Sequence, residues 1–573
     1  MTIKKRIMRK TAVPVMGLVL CIVAPEAFAA WTLDLSMGVQ TAIQSRIGAL
    51  SDTTQRDSGA LVKTTDQLIR EFYARRDYRP AWTAAQAEVL LRVLRDAGQE
   101  GLNPSDYDLD ASAALITTSM NAAGGADAAE RQADLDIFLT SAFLKYGQHL
   151  SSGRLDPEKW FFQWVPHHRN ADVLHALQEA IEKNDIEANL KALAPRHPSY
   201  IQMRQELLNL RRIAANGGWP LLTGAGVHKR GEHGHSVAIL KRRMIMAGDL
   251  NPALIGHETY FDAALDEAVR RFQWRHGLVI TGVIDRETRA ALNVPVEQRI
   301  RQMEINMERW RWLPDDFGSR YVMTIIPDLW LYVVDDQKTI LSMKTVIGTP
   351  KQPSPVFSDE MSYLELNPTW GLPNSIVAKE IIPKVRKDPE YLTKKHIRLY
   401  QNWSDKAKEV DPKTINWAKI NPERFPYRMV QDSGVNPLGR IKFMFPNDFD
   451  VYLHDTTQKG LFSRQRRLFS HGCIRIEKPY ALGEWVLRDN PSWSRERLVA
   501  EIKKGKRLQV NLQRPVPVHV MYLTAWVDGN GILQFRQDYY GYDSNYEEAL
   551  KKIGRLKSGI LQSTRAKISL GTI

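Results

Sequence analysis

A single cysteine late in the chain has neighbours that could make it a nucleophile. Cys473 lies in FSHGCIRI, residues 469–476, with His471 two positions before it and Arg475 two positions after it. A nearby imidazole can accept the thiol proton or, as imidazolium, stabilise the thiolate, which is the reactive form of the sulfur. In an extended chain Arg475 shares the face of the cysteine, where its guanidinium can hold a substrate carboxylate. The stretch therefore indicates covalent cysteine chemistry.

A glycine and a second histidine complete this set. Gly472 allows a sharp turn and a close approach of the backbone, so that successive N–H groups can point at a developing oxyanion. His454 lies in the strand-like stretch VYLHDT, and fifteen residues separate it from Ser470. The spacing alone leaves open whether His454 or His471 is the base.

Three of these residues also have a purely structural interpretation. Cys473 could be a packed, inert thiol, Arg475 could form an ion pair that holds the loop, and Ser470 could be only a turn residue. Two histidines, an adjacent glycine and an apparent export signal favour the reactive interpretation of the cysteine. For Arg475 the two interpretations carry equal weight.

The N-terminus indicates export from the cytoplasm. The first ten residues, MTIKKRIMRK, carry five positive charges; an apolar stretch follows at about 13–24, and AFA occupies 27–29. This order is typical of a cleavable secretory signal peptide, here over residues 1–29, and an uncleaved anchor is the alternative. Cys21 and Cys473 are the two cysteines of the chain. Cleavage would leave one thiol in a compartment that permits disulfides, which indicates either a buried hydrophobe or a reactive group.

Composition narrows the class of protein. The chain has 573 residues, too many for one core, and a formal net charge of +14, which favours an anionic partner such as a carboxylate-bearing polymer or an acidic surface. No block of five or six like charges suggests a nucleic-acid arm, so no nucleic acid is predicted as partner. Walker, Rossmann and H-E-x-x-H patterns are absent from the sequence, so no metal or nucleotide cofactor is predicted.

The order of sequence patterns predicts an α+β multidomain chain. Residues 31–222 show helical spacing of apolar residues, and glycine-rich residues precede a small unit at 235–296 with three short helices. Residues 300–515 are rich in strand-like runs, interrupted by a polar, basic and helix-like insertion at about 379–428 that we interpret as a lid. Residues 516–573 are predicted to form a C-terminal hairpin and helix extension.

The small unit resembles a known wall-binding repeat. AVRRFQWRHGLVITGVIDRETRAALN is similar to the peptidoglycan-binding repeat, with its F-Q-x-x-H-G-L segment and final A-L-N. Thr281 stands where the repeat usually has an aspartate before Gly282. The resemblance implies a three-helix fold and either binding to peptidoglycan or a spacer role.

The cysteine region closely resembles the signature of L,D-transpeptidases. That signature is a histidine, about fourteen to seventeen residues, then Ser/Thr-His-Gly-Cys, a hydrophobic residue and Asn or Arg, which residues 470–475 fit in the Arg form. NPLGRIKFMFPN before His454 and NPTWGLP at 367–373 look like further landmarks of the catalytic domain. The N-terminal scaffold, insertion and tail look like the large periplasmic subgroup. The resemblance implies a β-sandwich-like catalytic domain with the cysteine at a loop–strand junction.

The resemblance also assigns residue roles. It makes Cys473 the nucleophile and His454 the general base, with the ring oriented by the backbone carbonyl of Asp455. His471 would line the pocket, and Gly472 with Cys473 would supply oxyanion N–H groups. The residues expected to contact substrate are Ser470, Arg475, Tyr452, Asp455 and Trp370.

The implied reaction forms 3-3 cross-links in peptidoglycan without a cofactor. A thioester on Cys473 would carry one tetrapeptide stem to the side-chain amine of a second stem, and the resemblance implies acylation of the same thiol by carbapenems. The alternatives are another acceptor, which gives L,D-carboxypeptidase or lipoprotein-anchoring activity, and a non-catalytic wall-binding scaffold. The expected location is the periplasm, with inner-membrane association as the variant for an uncleaved signal. Wall synthases are candidate partners, and the oligomeric state is left open.

Overall fold

The computed structural model describes residues 37–50, 63–109, 126–165, 169, 171–224, 228–254, 256–404 and 406–553. The predicted signal peptide, including Cys21, and the last twenty residues of the predicted tail lie outside these ranges. Within them, no helix has both the length and the apolar character needed to cross a membrane.

The N-terminal region is helical, as predicted. Two of its helices begin with capping boxes, in which Thr64 with Gln67 and Thr83 with Gln86 satisfy free backbone N–H groups. The longest helix buries one face, and its core residues include Leu139. The helices are α1 Met37–Gly48, α2 Thr65–Ala74, α3 Ala84–Arg95, α4 Ala126–Ser152, α5 Pro157–Trp160, α6 Val173–Glu182, α7 Ile186–Ala192 and α8 Pro198–Ala215, with 3-10 turns at Asp96–Glu100 and Pro104–Tyr107.

A buried carboxylate holds three parts of this region together. Asp136 on α4 is 1% exposed and accepts hydrogen bonds from the Tyr73 hydroxyl at 2.5 Å and from the backbone N–H groups of Ala81 and Trp82 at 2.9 and 3.0 Å. Burial raises the pKa of Asp136 to about 6, although these three donors act in the opposite direction. The carboxylate therefore fixes α2 and the start of α3 against α4.

The small unit is a three-helix bundle, as predicted: α9 His235–Met246, α10 Ala263–Arg275 and α11 Arg286–Leu292. The Asp285 side chain accepts the Thr288 N–H at 2.8 Å and so caps α11. Gly282 has φ +75°, which favours glycine, and its N–H donates to the Gln273 side chain at 2.9 Å. The Thr281 hydroxyl accepts from the Val283 N–H at 3.1 Å, so this residue supports the turn without the usual aspartate.

Helix α12, Val296–Trp310, joins the helical region to the β-rich domain through buried charges. Glu308 is fully buried and pairs with Arg311 at 2.9 Å, and Arg311 donates to the Tyr200 hydroxyl of α8 at 3.0 Å. Glu308 also accepts the Leu155 N–H at 3.2 Å. A buried charge without a partner lowers the stability of the fold. These bonds therefore hold the scaffold in one position against the linker helix α12.

The β-rich domain is a nine-stranded sheet that closes on itself. Its order is β11-β3-β12-β10-β9-β4-β13-β1-β2, and β2 also pairs with β3. The closed strands enclose one apolar core. The strands are β1 Arg320–Ile325, β2 Trp330–Asp335, β3 Lys338–Gly348, β4 Phe357–Leu366, β9 Ile441–Met444, β10 Leu453–His454, β11 Leu468–Ser470, β12 Ile474–Ile476 and β13 Leu508–Met521.

The insertion has a core and a sheet of its own. Its helical part runs over 374–387, as α13 Asn374–Ile376, a π-helical turn Val377–Ile381 and α14 Ile382–Lys387, and α15 Tyr391–Lys394 follows. Four short strands, not predicted from the sequence, pair in the order β5-β8-β6-β7. They are β5 Trp370–Gly371, β6 Ile397–Tyr400, β7 Glu409–Val410 and β8 Arg428–Gln431. Strands of two to four residues show too little alternation to be recognised from sequence.

Two helices and a hairpin complete the described chain. Helices α16 Pro479–Leu487 and α17 Arg495–Lys503 separate β12 from β13. The tail forms the predicted hairpin, β14 Ala525–Val527 with β15 Leu533–Phe535, and is helical at 542–553. The hairpin packs into the same apolar core as the scaffold and α12.

We expect Asp136→Ala to destabilise the scaffold strongly, because it leaves the buried N–H groups of Ala81 and Trp82 without this acceptor and removes one of the two hydrogen-bond partners of the Tyr73 hydroxyl. The loss of unfolding free energy is about 2–5 kcal/mol. The scaffold transition in scanning calorimetry of the full chain should therefore fall by roughly 5–15 °C. The matched control is Asp134→Ala on the same helix. Asp134 pairs with Arg46 at 2.9 Å, and both side chains are substantially exposed. The control should change the transition by less than about 3 °C, and equal effects of the two variants would contradict this account.

Candidate active site

The parallel pairing of β10 with β12 determines which side chains meet the cysteine. Leu453 pairs with Ile474, and His454 pairs with Arg475. Leu453 and Ile474 are fully buried in the core of the domain. Because side chains alternate along a strand, His454, Arg475 and the preceding Cys473 all lie on the opposite face. The structure therefore brings the thiol and His454 to neighbouring strands.

His454 is held as a neutral base. Its Nδ1–H donates to the backbone carbonyl oxygen of Asp455 at 2.5 Å, and only 3% of the residue is exposed. Burial, together with the positive charges of Arg475 and Lys442, lowers the pKa of His454 to about 3, although hydrogen bonding to the backbone of Asp455 and Leu438 acts in the opposite direction. Since Nδ1 carries the proton, Nε2 retains a lone pair that can accept another.

The thiol is also neutral in the resting protein. Cys473 is half-buried, and its Sγ lies 3.9 Å from the backbone oxygen of Asp450. Burial raises the pKa of the Cys473 thiol, while the Tyr452 backbone and hydroxyl and the cations Lys442 and Arg475 act in the opposite direction. The arrangement favours proton transfer from thiol to imidazole during attack over a preformed ion pair.

A row of charged side chains crosses the sheet beside the thiol. Register pairs Glu365 on β4 with Lys442 on β9, Lys442 with His454, and His454 with Arg475, so the four side chains share one face. Burial lowers the pKa of Lys442, and the charges of Glu365 and Cys473 oppose this shift. Lys442 was not among the site residues predicted from the sequence. The signal was a lysine between the buried residues Ile441 and Phe443, which must point away from the core.

Tyr452 lies beside both this lysine and His454. The Lys442 Nζ lies 3.8 Å from the centre of the Tyr452 ring, a cation–π contact, and the ring centres of Tyr452 and His454 are 5.7 Å apart. Burial raises the pKa of Tyr452, and the nearby Cys473 raises it further. Tyr452 therefore keeps its hydroxyl proton and can donate it in a hydrogen bond near the sulfur.

The loop before Cys473 is fixed by internal hydrogen bonds. Gly472 has φ +119°, a conformation that favours glycine, and its N–H donates to the Ser470 hydroxyl at 3.3 Å. Its carbonyl oxygen accepts from the Ser354 hydroxyl at 2.6 Å. Ser470 is only 2% exposed, so it supports the turn, and its contact with substrate stays a prediction. The oxyanion role of Gly472 also stays a prediction.

His471 contacts the insertion. Its Nε2 lies 3.2 Å from Oε1 of Glu380, and both side chains are nearly half exposed. Glu380 belongs to the π-helical turn of the insertion, so the insertion reaches the cysteine loop. Trp370 lies where the insertion begins, half-buried against its core. This placement makes His471 a contact of the insertion, and pocket lining by either residue stays a prediction.

Arg475 and Asp455, the remaining predicted site residues, differ in which of their polar groups are already hydrogen-bonded. Arg475 Nη1 donates to the Gln458 side chain at 2.7 Å, whereas its buried Nε has no hydrogen-bond acceptor within the part of the chain that the structure describes. The Asp455 carboxylate is buried and accepts from the Arg440 N–H at 2.8 Å and from Lys459. Asp455 thus acts on the site through its backbone, and Arg475 retains capacity for an anion.

Three parts of the chain match known protein families. Residues 319–512 match the L,D-transpeptidase catalytic domain, residues 67–207 match a scaffold domain, and residues 233–292 match a family described as "Putative peptidoglycan binding domain". The matches follow the predicted order of the domains. The catalytic match contains both His454 and Cys473.

Individual relatives are similar over part of the chain. The chain is 32% identical over 242 residues to a "Putative L,D-transpeptidase" of Haemophilus influenzae, a match that covers 42% of this chain. It covers 48% of the relative, so this chain spans about half the length of the curated relative it matches.

Solved structures give weak likenesses. An L,D-transpeptidase (Yku) from Stackebrandtia nassauensis is 13% identical and covers 53% of this chain and 96% of its own, with a TM-score of 0.21. An L,D-transpeptidase (residues 123–326) from Xylanimonas cellulosilytica is also 13% identical and covers 52% and 98%, with a TM-score of 0.18. Likenesses this low carry no argument about the site.

We expect Lys442→Gln to raise the pKa of the Cys473 thiol, because it removes a cation that stabilises the thiolate. Alkylation of the thiol by iodoacetamide at pH 7 should slow by roughly two- to tenfold, and the difference should vanish at high pH where the thiol is fully ionised. The measurement is the alkylation rate as a function of pH. Lys478→Gln is the control, since Lys478 is exposed and donates to the Ser342 backbone oxygen. Superimposable profiles for Lys442→Gln and the unmodified chain would contradict the assignment.

Proposed function

We propose that this chain, a member of the L,D-transpeptidase family through its residues 319–512, cross-links peptidoglycan stems through an acyl-enzyme on Cys473. The observation that carries the proposal is the pairing of β10 with β12, which puts a neutral His454 and the thiol on one face. A neutral imidazole with its Nδ1–H already bonded is the form that can remove a thiol proton.

The first half-reaction makes the thioester. As Cys473 Sγ attacks the carbonyl carbon of the L-to-D amide after the third residue of a tetrapeptide stem, His454 Nε2 accepts the thiol proton. The tetrahedral oxyanion is stabilised by the backbone N–H of Cys473, and by that of Gly472 once it leaves the Ser470 hydroxyl, to which it donates at 3.3 Å. The C–N bond then breaks, the imidazolium gives its proton to the leaving amine, and D-alanine departs.

The second half-reaction makes the cross-link. The side-chain amine of a third-position diaminopimelate in another stem attacks the thioester carbonyl carbon, and His454 takes a proton from that amine. The C–S bond breaks and the thiolate recovers a proton from the imidazolium. The product is a 3-3 cross-link and a free Cys473, so atoms and charge balance without a cofactor.

The surrounding charges suit a carboxylate-rich stem. Arg475 and Lys442 lie on the same face as the thiol, and the Arg475 Nε has no acceptor among the described residues. We assign stem carboxylates to Arg475, and assign to Tyr452 a hydrogen bond that steadies the sulfur. The bundle at 235–296 and the net charge of +14 support an anionic wall polymer as the substrate.

The insertion and the export signal support two further parts of the proposal, a lid over the bound stem and a periplasmic location. Glu380 brings the insertion onto His471, which supports a lid that covers the bound stem. The N-terminal signal pattern and the peptidoglycan-binding match support a periplasmic location.

Acylation by a carbapenem tests the nucleophile. Intact-protein mass spectrometry should show the mature chain gaining the mass of one carbapenem, and Cys473→Ala should show no gain. His454→Gln should be acylated about 10²–10⁴ times more slowly, because the general base is missing. Labelling of Cys473→Ala at the normal rate would overturn the proposal, and Ser342→Ala serves as a control substitution away from the site.

Analysis of digested sacculi identifies the molecule that accepts the acyl group from Cys473. Sacculi treated with the active chain should yield dimers joined between third-position residues, and those treated with Cys473→Ala should not. Tripeptide stems without dimers would indicate water as the acceptor, and a protein attached to the stem would indicate anchoring. Sacculi that neither the unmodified chain nor Cys473→Ala alters, although both bind them, would leave only a wall-binding scaffold.

A further inference from the structure

The C-terminal tail contacts a loop on which the cysteine turn rests. Tyr540 lies beyond the matched catalytic range, and its hydroxyl donates to the Gly348 carbonyl oxygen at 2.9 Å and accepts the Ser354 N–H at 3.2 Å. Burial raises the pKa of Tyr540 to about 12, so the hydroxyl keeps its proton and can act as both donor and acceptor. One side chain thus joins both ends of the loop 348–354.

Ser354 passes this constraint to the cysteine turn. It is fully buried, its hydroxyl accepts the Gly348 N–H at 3.0 Å, and the same hydroxyl donates to the Gly472 carbonyl oxygen at 2.6 Å. A second tie runs from the Thr349 N–H to the Ser470 carbonyl oxygen at 3.1 Å. The loop 348–354 is therefore a bridge between the tail and the residues before the nucleophile.

The direction of the Gly472 carbonyl determines the direction of the next N–H. A peptide unit is planar and trans, so fixing the Gly472 oxygen also fixes the Cys473 N–H, which points the opposite way. Gly472 has φ +119° and few steric constraints of its own, since a Cβ there would meet only Pro353 and Val451 at ordinary contact distances. The orientation of this peptide therefore depends on the Ser354 hydrogen bond.

Tyr540 is itself held firmly. Its N–H donates to the Tyr522 hydroxyl at 2.8 Å, and the two rings stack with centres 5.3 Å apart. The Tyr522 hydroxyl donates to Asp538 at 2.5 Å. The other side of the loop is paired with the scaffold, where Val356 N–H donates to the Gln163 carbonyl oxygen at 2.9 Å.

We propose that Tyr540 is a positioning residue for acyl transfer: through Ser354 and the Gly472 carbonyl it aims the Cys473 N–H at the oxyanion. This inference rests on the proposed function, because an oxyanion forms only if the thiol attacks a carbonyl carbon. It gives the tail a role in catalysis without direct contact with substrate. A misdirected N–H weakens transition-state stabilisation while it leaves the thiol and His454 in place.

Comparing two reactions of the Cys473 thiol distinguishes a positioning role of Tyr540 from a general loss of stability. Acylation by a carbapenem passes through an oxyanion, whereas alkylation by iodoacetamide does not. For Tyr540→Phe we expect acylation to slow by roughly 5- to 30-fold and alkylation to change by less than about twofold. The matched control is Tyr546→Phe: the hydroxyl of this tail residue accepts a hydrogen bond from Arg154 Nη2 at 2.8 Å and not from the loop 348–354. The control should keep both rates.

Ser354→Ala provides an independent variant in the same chain of bonds. It should slow acylation at least as much as Tyr540→Phe, and the double variant should be no slower than Ser354→Ala alone, because both act through one hydrogen bond. Equal slowing of both reactions in Tyr540→Phe, or acylation at the normal rate, would overturn the inference while the proposed function stands. If the unmodified chain is not acylated at Cys473, the proposed function fails and the inference fails with it.

Discussion

The parallel pairing of β10 with β12 is the constraint on which the site depends. Two strands of two and three residues are too short to be stable alone, so they rely on the closed sheet on either side. Leu453 and Ile474 anchor them in the apolar core, and alternation then leaves no other face for His454 and Cys473. The scaffold, linker helix and tail stabilise this sheet from outside through buried charges and hydrogen bonds.

Burial, more than any single charge, sets the chemistry of the pair. It lowers the pKa of His454 to about 3 and raises that of the Cys473 thiol, so both groups rest neutral. The positive charges of Lys442 and Arg475 disfavour an imidazolium at His454 and favour a thiolate at Cys473. A thiolate at Cys473 is therefore stabilised, and in the proposed reaction the proton resides on the imidazole only while acyl transfer proceeds. This arrangement suits an acyl transfer in which His454 acts on both the thiol and the incoming amine.

Local patterns in the sequence were enough for the domain order and the central motif. Helical spacing, the small three-helix bundle and the tail hairpin are local features, and the structure has them where they were predicted. The pairing of His454 with Arg475 and the contact of His471 with the insertion could not be read from spacing, because they depend on contacts between segments distant in sequence. Lys442 and Tyr540 were missed for the same reason, since their contacts reach across the sheet or in from the tail.

The protonation state of His454 tests the central claim most directly. The measurement is NMR of histidine-labelled protein, with the His454 signal assigned by its loss in His454→Gln. We predict a neutral ring protonated at Nδ1 at pH 7, which remains neutral until the pH approaches about 3. An imidazolium at pH 7 that becomes neutral when Cys473 is replaced by alanine would show a preformed ion pair and contradict the account.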